Sequence, residues 1–257
     1  SLFDLTGKVA IITGSSRGIG RAIAEGMAEQ GARVVISSRK QDACEEVASA
    51  INAQHGEGRA IAIAASISDK EALQHLVDET RRVFGRIDVL VCNAASNPYF
   101  GPMAGITDDQ FRKIMDNNVL SNHWLTSMVA PEMLERGAGS IIIVSSVGGL
   151  TSSTVIGAYN ISKAADLQLV RNLAAEFGPK GVRVNAIAPG LVRTDFARAL
   201  WENPDILKRV TSVAALKRIG EPRELAGAAI FLASEASTFV TGQTLVVDGG
   251  STFGAGF

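Results

Sequence analysis

A tyrosine and a lysine one helical turn apart, with a serine upstream, are the residue types in this chain that can move a proton. The stretch from Ser145 to Lys163 follows the apolar run Ile141-Ile142-Ile143-Val144 and leads into a long helical pattern. Tyr159 and Lys163 are four positions apart, so a helix sets both on one face. A free phenol has a pKa of ~10, and each unit of lowering takes ~1.4 kcal/mol of differential stabilisation, which a neighbouring ammonium can supply. Ser146, thirteen residues before Tyr159, falls at the expected strand end, where its hydroxyl can bond a substrate oxygen; Ser145 is its competitor. An amphipathic helix with a packed tyrosine and a solvated lysine explains the pair equally well until the chain supplies a reaction partner.

The partner is a nucleotide site near the other end. Val9-Ala10-Ile11-Ile12 runs into Thr13-Gly14-Ser15-Ser16-Arg17-Gly18-Ile19-Gly20 and then a helical window. Glycines at a strand-to-helix turn allow a tight bend and let backbone N–H groups approach a pyrophosphate at the helix N-terminus. Gly14, Ser16, Arg17, Gly18, Ile19 and Gly20 are the candidate residues of that turn. The second strand ends in Ser37-Ser38-Arg39-Lys40, where NAD binders place a carboxylate for the ribose hydroxyl. With Ser38, Arg39, Lys40 and Arg17 there instead, the expected cofactor is NADP(H) rather than NAD(H), because guanidinium groups fork onto phosphate.

Short β-branched runs alternate with amphipathic windows through the whole chain. Strands are expected at Val9–Ile12, Arg33–Ser37, Ala60–Ala64, Val89–Cys92, Ile141–Val144, Arg183–Ile187 and Thr244–Val247, and helices at 19–30, 41–54, 69–84, 107–136, 155–178 and 222–234. Thr107 to Gln110 is the expected capping start of the fourth helix, with Gly137 and Gly178 as helix stops. Continuous apolar runs suit strands buried on both faces of a sheet. The prediction is one α/β domain over 1–257, a three-layer sandwich with a mostly parallel seven-stranded sheet and helices on both faces. Segment 190–220 shows no clear period and is expected to be a substrate lid.

Composition narrows the partners. A formal net charge of −1 gives no reason to expect nucleic acid or an anionic membrane. No stretch approaches the ~20 apolar residues of a membrane helix. The opening residues lack a leader pattern, two cysteines make no disulfide framework, and the expected setting is a reduced cytoplasm. His55, His75 and His123 are scattered, so no metal site is expected.

With Thr13-Gly14-x-x-x-Gly18-x-Gly20, Asn93-Ala94-Ala95, Ser146, Tyr159-x-x-x-Lys163 and Pro189-Gly190 in this order, the chain resembles the short-chain dehydrogenase/reductase family over essentially its whole length. Within it, Ser37 to Gln41, Asn93 to Gly101 and Leu200-Trp201 are similar to NADPH-dependent carbonyl and retinal reductases known from peroxisomes, although this chain ends Gly254-Ala255-Gly256-Phe257 without a Ser-Lys-Leu-type signal. The resemblance implies a Rossmann-type fold. It implies Tyr159 as general acid or base, Lys163 tuning it, Ser146 polarising the carbonyl oxygen, and Asn118 supporting a water beside the lysine. Asn93 and Ala94 would line the adenine-ribose side, and Pro189, Gly190, Val192 and Thr194 would hold the nicotinamide. Ser66-Ile67 stands where the family often has Asp-Val, which leaves those two as weaker cofactor residues. A homotetramer is implied, with helices 107–136 and 155–178 as interfaces and the C-terminal tail contributing. Two other reactions fit the same residues: reduction of a 3-oxoacyl thioester and NAD(P)-dependent oxidation of an alcohol or steroid. A non-catalytic NADP(H)-binding sensor is the alternative from another class.

Overall fold

The seven apolar runs all become strands of one sheet. The computed structural model describes residues 1–253, so the expected contribution of the tail from Gly254 to Phe257 lies outside the described residues. The strands are β1 (Val9–Thr13), β2 (Arg33–Ser37), β3 (Ala60–Ala62), β4 (Val89–Cys92), β5 (Gly139–Val144), β6 (Val182–Pro189) and β7 (Thr244–Val247), in spatial order β3-β2-β1-β4-β5-β6-β7. Every pairing among them is parallel, rather than mostly so. The reason is in the connections: each successive strand is reached through at least one helix, which returns the chain to the same end of the sheet.

Helices α1 (Gly18–Glu29), α2 (Gln41–His55), α3 (Lys70–Phe84), α4 (Asp108–Met115), α5 (Ser121–Arg136), α6 (Gly157–Phe177), α7 (Arg198–Trp201), α8 (Pro204–Val213) and α9 (Arg223–Ala233) complete the described chain. Ile23 and Met27 of α1 pack with Val47 of α2 and Leu225 of α9 on one face of the sheet. On the other, Leu73 and Val77 of α3 meet Leu125 and Val129 of α5 and Leu167 and Val170 of α6. That is the three-layer sandwich. No helix among the described residues is long and apolar enough to cross a membrane.

Several bounds differ from expectation, and four of the differences bear on the site. The helix expected over 107–136 is divided, because residues Asp116–Leu120 form a π-helical turn between α4 and α5. Its start is as expected: Thr107 accepts from the Gln110 backbone N–H while Gln110 accepts from that of Thr107. Gly137 closes α5 in the left-handed conformation at φ 72°, but Gly178 stays right-handed and a further turn runs over Gly178–Lys180 to Gly181 at φ 78°. β3 runs only to Ala62; the Gln41 side chain covers its open edge there, donating to the Ala62 carbonyl and accepting from Ala64 N–H, while Ile63 N–H still reaches the Ile36 carbonyl of β2 at 3.0 Å. Segment 190–220 contains α7 and α8, the latter started by Asn203, whose side chain accepts from the Asp205 and Ile206 N–H groups.

Candidate active site

The end of β5 settles which serine faces the site. Ser145 is buried and donates to the Lys163 carbonyl at 2.8 Å, which fixes α6 against the sheet. Ser146, one residue further, is only partly buried and accepts the Gly148 N–H at 2.9 Å, which sets its oxygen. The side-chain alternation of a strand makes this choice: neighbours point to opposite faces.

α6 carries Tyr159 and Lys163 one turn apart, as the spacing predicts. The Lys163 Nζ lies 5.8 Å from the centre of the Tyr159 ring. Burial pushes the phenol above the ordinary tyrosine range; Lys163 and the Ser146 hydroxyl pull it down, and Asp166 lifts it. The net direction is upward, against the expectation of a lowered value, because the desolvation of this partly buried ring outweighs the lysine. At neutral pH Tyr159 is therefore a neutral phenol with a proton to give. The lysine is not solvated: it is 2% exposed and its Nζ donates to the Val144 carbonyl at 2.9 Å and to Asp166 Oδ2 at 3.1 Å.

Asn118 stands on the π-helical turn, fully buried. Its Oδ1 accepts the Ser96 N–H at 2.8 Å, and its Nδ2 donates to the Ser96 carbonyl and to Ser162 Oγ, each at 3.0 Å. The extra residue of a π-turn re-aims side chains, and such turns occur often at functional sites. Here it sets Asn118 between the loop after β4 and α6.

The glycine turn lies at the neighbouring strand ends, where the strand order reverses between β1 and β4. Thr13 Oγ1 accepts both the Asn93 and Ala94 N–H groups, and Asn93 Nδ2 donates to the Thr13 and Gly14 carbonyls. Asn93 thus clamps β4 to the glycine turn, a structural use of the side chain expected on the adenine-ribose side. A Cβ on Gly20 would meet the Gly14 oxygen at 2.4 Å and Asn93 Nδ2 at 2.5 Å. No side chain caps the N-terminus of α1, which leaves its first N–H groups without a capping partner.

This arrangement has counterparts among known proteins. A family model described as "Enoyl-(Acyl carrier protein) reductase" matches residues 14–252. "Dehydrogenase/reductase SDR family member 4" of Bos taurus is 43% identical over 248 residues, covering 96% of this chain and 88% of that one. The human protein of the same name is 41% identical over the same shares. The chain belongs to the short-chain dehydrogenase/reductase family. Among solved structures, a 7α-hydroxysteroid dehydrogenase complexed with NADH and 7-oxo glycochenodeoxycholic acid is 37% identical at TM-score 0.92, covering 97% of this chain and 96% of that chain. A gluconate 5-dehydrogenase from Burkholderia cenocepacia, in complex with NADP and tartrate, is 34% identical at TM-score 0.93, covering 98% of both.

The remaining candidate residues of this short-chain dehydrogenase/reductase lie after the ends of β1, β2, β3 and β6. Arg17 is exposed and pairs with Asp195 at 3.5 Å, while Ser16, Gly18 and Ile19 open α1. Ser15, which the sequence did not single out, is buried and accepts the Ser37 N–H at 2.9 Å, locking the turn to β2. Arg39 and Lys40 are exposed past the end of β2, and Ser38 is turned toward Cys44 Sγ at 3.2 Å. Ser66 engages Ser68 within its own turn at 2.8 Å, and Ile67 packs on the core. Pro189 and Gly190 end β6; Val192 is buried, and Thr194 lies 3.4 Å from where a Gly18 Cβ would be. The 190–220 segment is clasped at its base by the Val192–Gly220 bridge, and Phe196 comes within 6.0 Å of the Tyr159 ring, centre to centre. Asp166 and Asn122 are polar groups of the site that sequence reasoning missed. Asp166 follows Lys163 by three residues and so shares the Tyr159 face, a readable signal; Asn122 has none.

Proposed function

We propose that this enzyme transfers a hydride between NADP(H) and the carbonyl or secondary alcohol of a hydrophobic small molecule, with Tyr159 as general acid and base. The observation that carries the reading is a neutral phenol beside Ser146 and Lys163, one strand-end away from an uncapped glycine turn. That turn suits a dinucleotide: close packing of Gly20 on Gly14 and Asn93 keeps it tight, and no side chain caps the N-terminus of α1, where a pyrophosphate would sit. Gly14 to Gly20 would hold the pyrophosphate, and Pro189, Gly190, Val192 and Thr194 the nicotinamide end. The bound cofactor supplies the hydride. The chain supplies the rest. Ser146 orients and polarises the substrate oxygen, Tyr159 gives it a proton in reduction and takes one back in oxidation, and Lys163 holds positive charge beside the phenol. Segment 190–220 acts as the lid, and the Phe196 ring over Tyr159 favours an apolar substrate.

A 3-oxoacyl-thioester reductase is the second reading, favoured by the description of the matching family model. The test is oxidation of NADPH and NADH against diones, aromatic ketones, retinal and acetoacetyl thioester. Turnover of the first three with NADPH supports the proposal, thioester turnover alone selects the second reading, and binding of NADPH without any turnover returns the sensor. The 2′-phosphate preference is assigned to Arg39, Lys40 and Arg17, with no carboxylate at the end of β2. Arg39→Asp is expected to lower kcat/KM with NADPH by roughly 10²-fold, corresponding to about 2–3 kcal/mol for a lost charge-assisted phosphate contact. Unchanged NADPH preference removes Arg39 from the role.

A homotetramer is proposed as the assembled state. Exposed Leu120 and Ile161 lie on the expected interface helices, and Phe239, Leu245 and Val246 expose a further apolar edge at β7. Light scattering is expected to give four times the 26.9 kDa chain mass; a monomeric mass at micromolar protein contradicts the assignment.

A further inference from the structure

Asp166 is a carboxylate with 0% exposure, one helical turn beyond Lys163 on α6. Both of its oxygens are occupied. Oδ2 accepts from Lys163 Nζ at 3.1 Å, and Oδ1 accepts from Asn122 Nδ2 at 2.9 Å. Asn122 in turn donates to the Asn118 carbonyl at 2.7 Å, so the carboxylate is fixed through α5 to the π-turn that carries Asn118. Lys163 spends two of its three protons on Val144 O and Asp166, leaving one for the Tyr159 side of the crevice.

A lysine at this depth does not keep its proton unaided: desolvation of a fully buried ammonium lowers its pKa by up to ~5 units. Breaking a buried pair by removing one partner leaves an uncompensated charge, and the lysine sheds it by deprotonating. We infer that Asp166 is the counter-ion that keeps Lys163 protonated and aimed, a positioning residue that acts on Tyr159 only through the lysine. Burial pulls the Lys163 ammonium down, and Asp166, by its charge and its hydrogen bond, leads the groups that raise it again. The titratable groups facing the pair are Tyr159 on the same helix and Cys92 on β4, whose thiol burial holds protonated. Asn118 and Asn122 from the π-turn and α5, and Ser145 and Ser146 from β5, are neutral. Among the described residues, no second carboxylate shares the hydrogen bonds of the Lys163 ammonium.

The inference deepens the proposed role of Tyr159 and rests on that reading only for its effect on turnover; Lys163 titrates whether or not a carbonyl is ever reduced. The experiment follows the ε-carbon resonance of Lys163 against pH in protein carrying 13C-labelled lysine, assigned by its loss in Lys163→Met. No substrate or cofactor is added. In the wild-type chain the resonance is expected to stay at its protonated position through pH 10. In Asp166→Asn the midpoint is expected to fall by at least two units, a hundredfold loss of proton affinity, and Asp166→Glu is expected to restore it. Where a carbonyl substrate is in hand, kcat/KM of Asp166→Asn acquires a new ionisation: activity is retained below the lowered lysine midpoint and lost as pH rises through it. A wild-type midpoint near neutrality overturns the inference even if the variants fail to fold. So does an Asp166→Asn midpoint within half a unit of wild type. Loss of turnover in Tyr159→Phe bears on the proposed reaction alone.

Discussion

Tyr159→Phe is expected to lower kcat by roughly 10²–10⁴-fold, the range for loss of a positioned general acid or base. At ~1.4 kcal/mol per decade the loss is about 3–5 kcal/mol of transition-state stabilisation. The substitution is clean because it removes one oxygen and leaves the packing. The ring keeps its tilted contact with Phe196 at 6.0 Å and its place beside the Lys163 ammonium. Cofactor affinity, measured by fluorescence titration, is expected to stay within threefold, since phosphate recognition is assigned to the glycine turn. Stability should hardly change. The phenol is raised by burial, so the wild-type enzyme presents the protonated form through neutral pH. Reduction should therefore hold its rate as pH rises and decline only when the phenol ionises, whereas oxidation, which needs the phenolate, should gain with pH. A variant that keeps near-wild-type kcat removes Tyr159 from the reaction.

Gly20→Ala is expected to damage both stability and cofactor binding. The added Cβ would sit 2.4 Å from the Gly14 carbonyl oxygen and 2.5 Å from Asn93 Nδ2. Neither can yield cheaply: Gly14 is held at φ +66°, and its carbonyl accepts the Asn93 amide at 3.2 Å while that amide also donates to Thr13 at 2.9 Å. The first turn of α1 must move off the crevice and carry its uncapped N–H groups with it. Overpacking of this kind costs about 1–3 kcal/mol, which lowers Tm by several degrees in a domain of this size. Cofactor affinity is expected to fall by more than tenfold, because phosphate binding at a helix N-terminus depends on where those N–H groups point. Gly227→Ala is the matched control. It lies within α9 with nothing inside 4 Å of its added Cβ, and alanine is the better helix residue by about 0.5–1 kcal/mol. A raised Tm there and a lowered one in Gly20→Ala separate the close approach from any general intolerance of glycine replacement. Equal cofactor affinity in wild type and Gly20→Ala contradicts the role of the turn.

The sequence by itself determined what repeats over short range. Continuous apolar runs such as Val89–Cys92 and Ile141–Val144 can only be strands buried on both faces, and their alternation with helices dictates a parallel layered sheet. The four-residue spacing of Tyr159 and Lys163 sets them on one face of α6 whatever the rest of the chain does. Glycine at 14, 18 and 20 declares a strand-to-helix turn before any contact is known. Thr107 and Gln110 spell out their own capping box. Each of these is read from neighbours within about seven residues, where backbone geometry alone decides who meets whom.

What only the tertiary structure decided depends on contacts between distant segments. Asn93 carries a side chain suited to a ligand, yet its amide is spent on Thr13 and Gly14, eighty residues earlier in the chain. The π-turn at Asp116–Leu120 has no sequence period; it exists where Asn118 must reach both Ser96 and Ser162. The open edge of β3 is covered by Gln41 from the adjoining helix. Above all, a lysine that spacing leaves free to be solvated is buried to 2% exposure, with Val144 and Asp166 as its partners. Spacing sets which face of a helix a charge occupies, whereas burial is a property of what packs on that face. The cost of desolvating the Lys163 ammonium, and with it the upward shift of the phenol it serves, arises only when α5, α6 and β5 close around it.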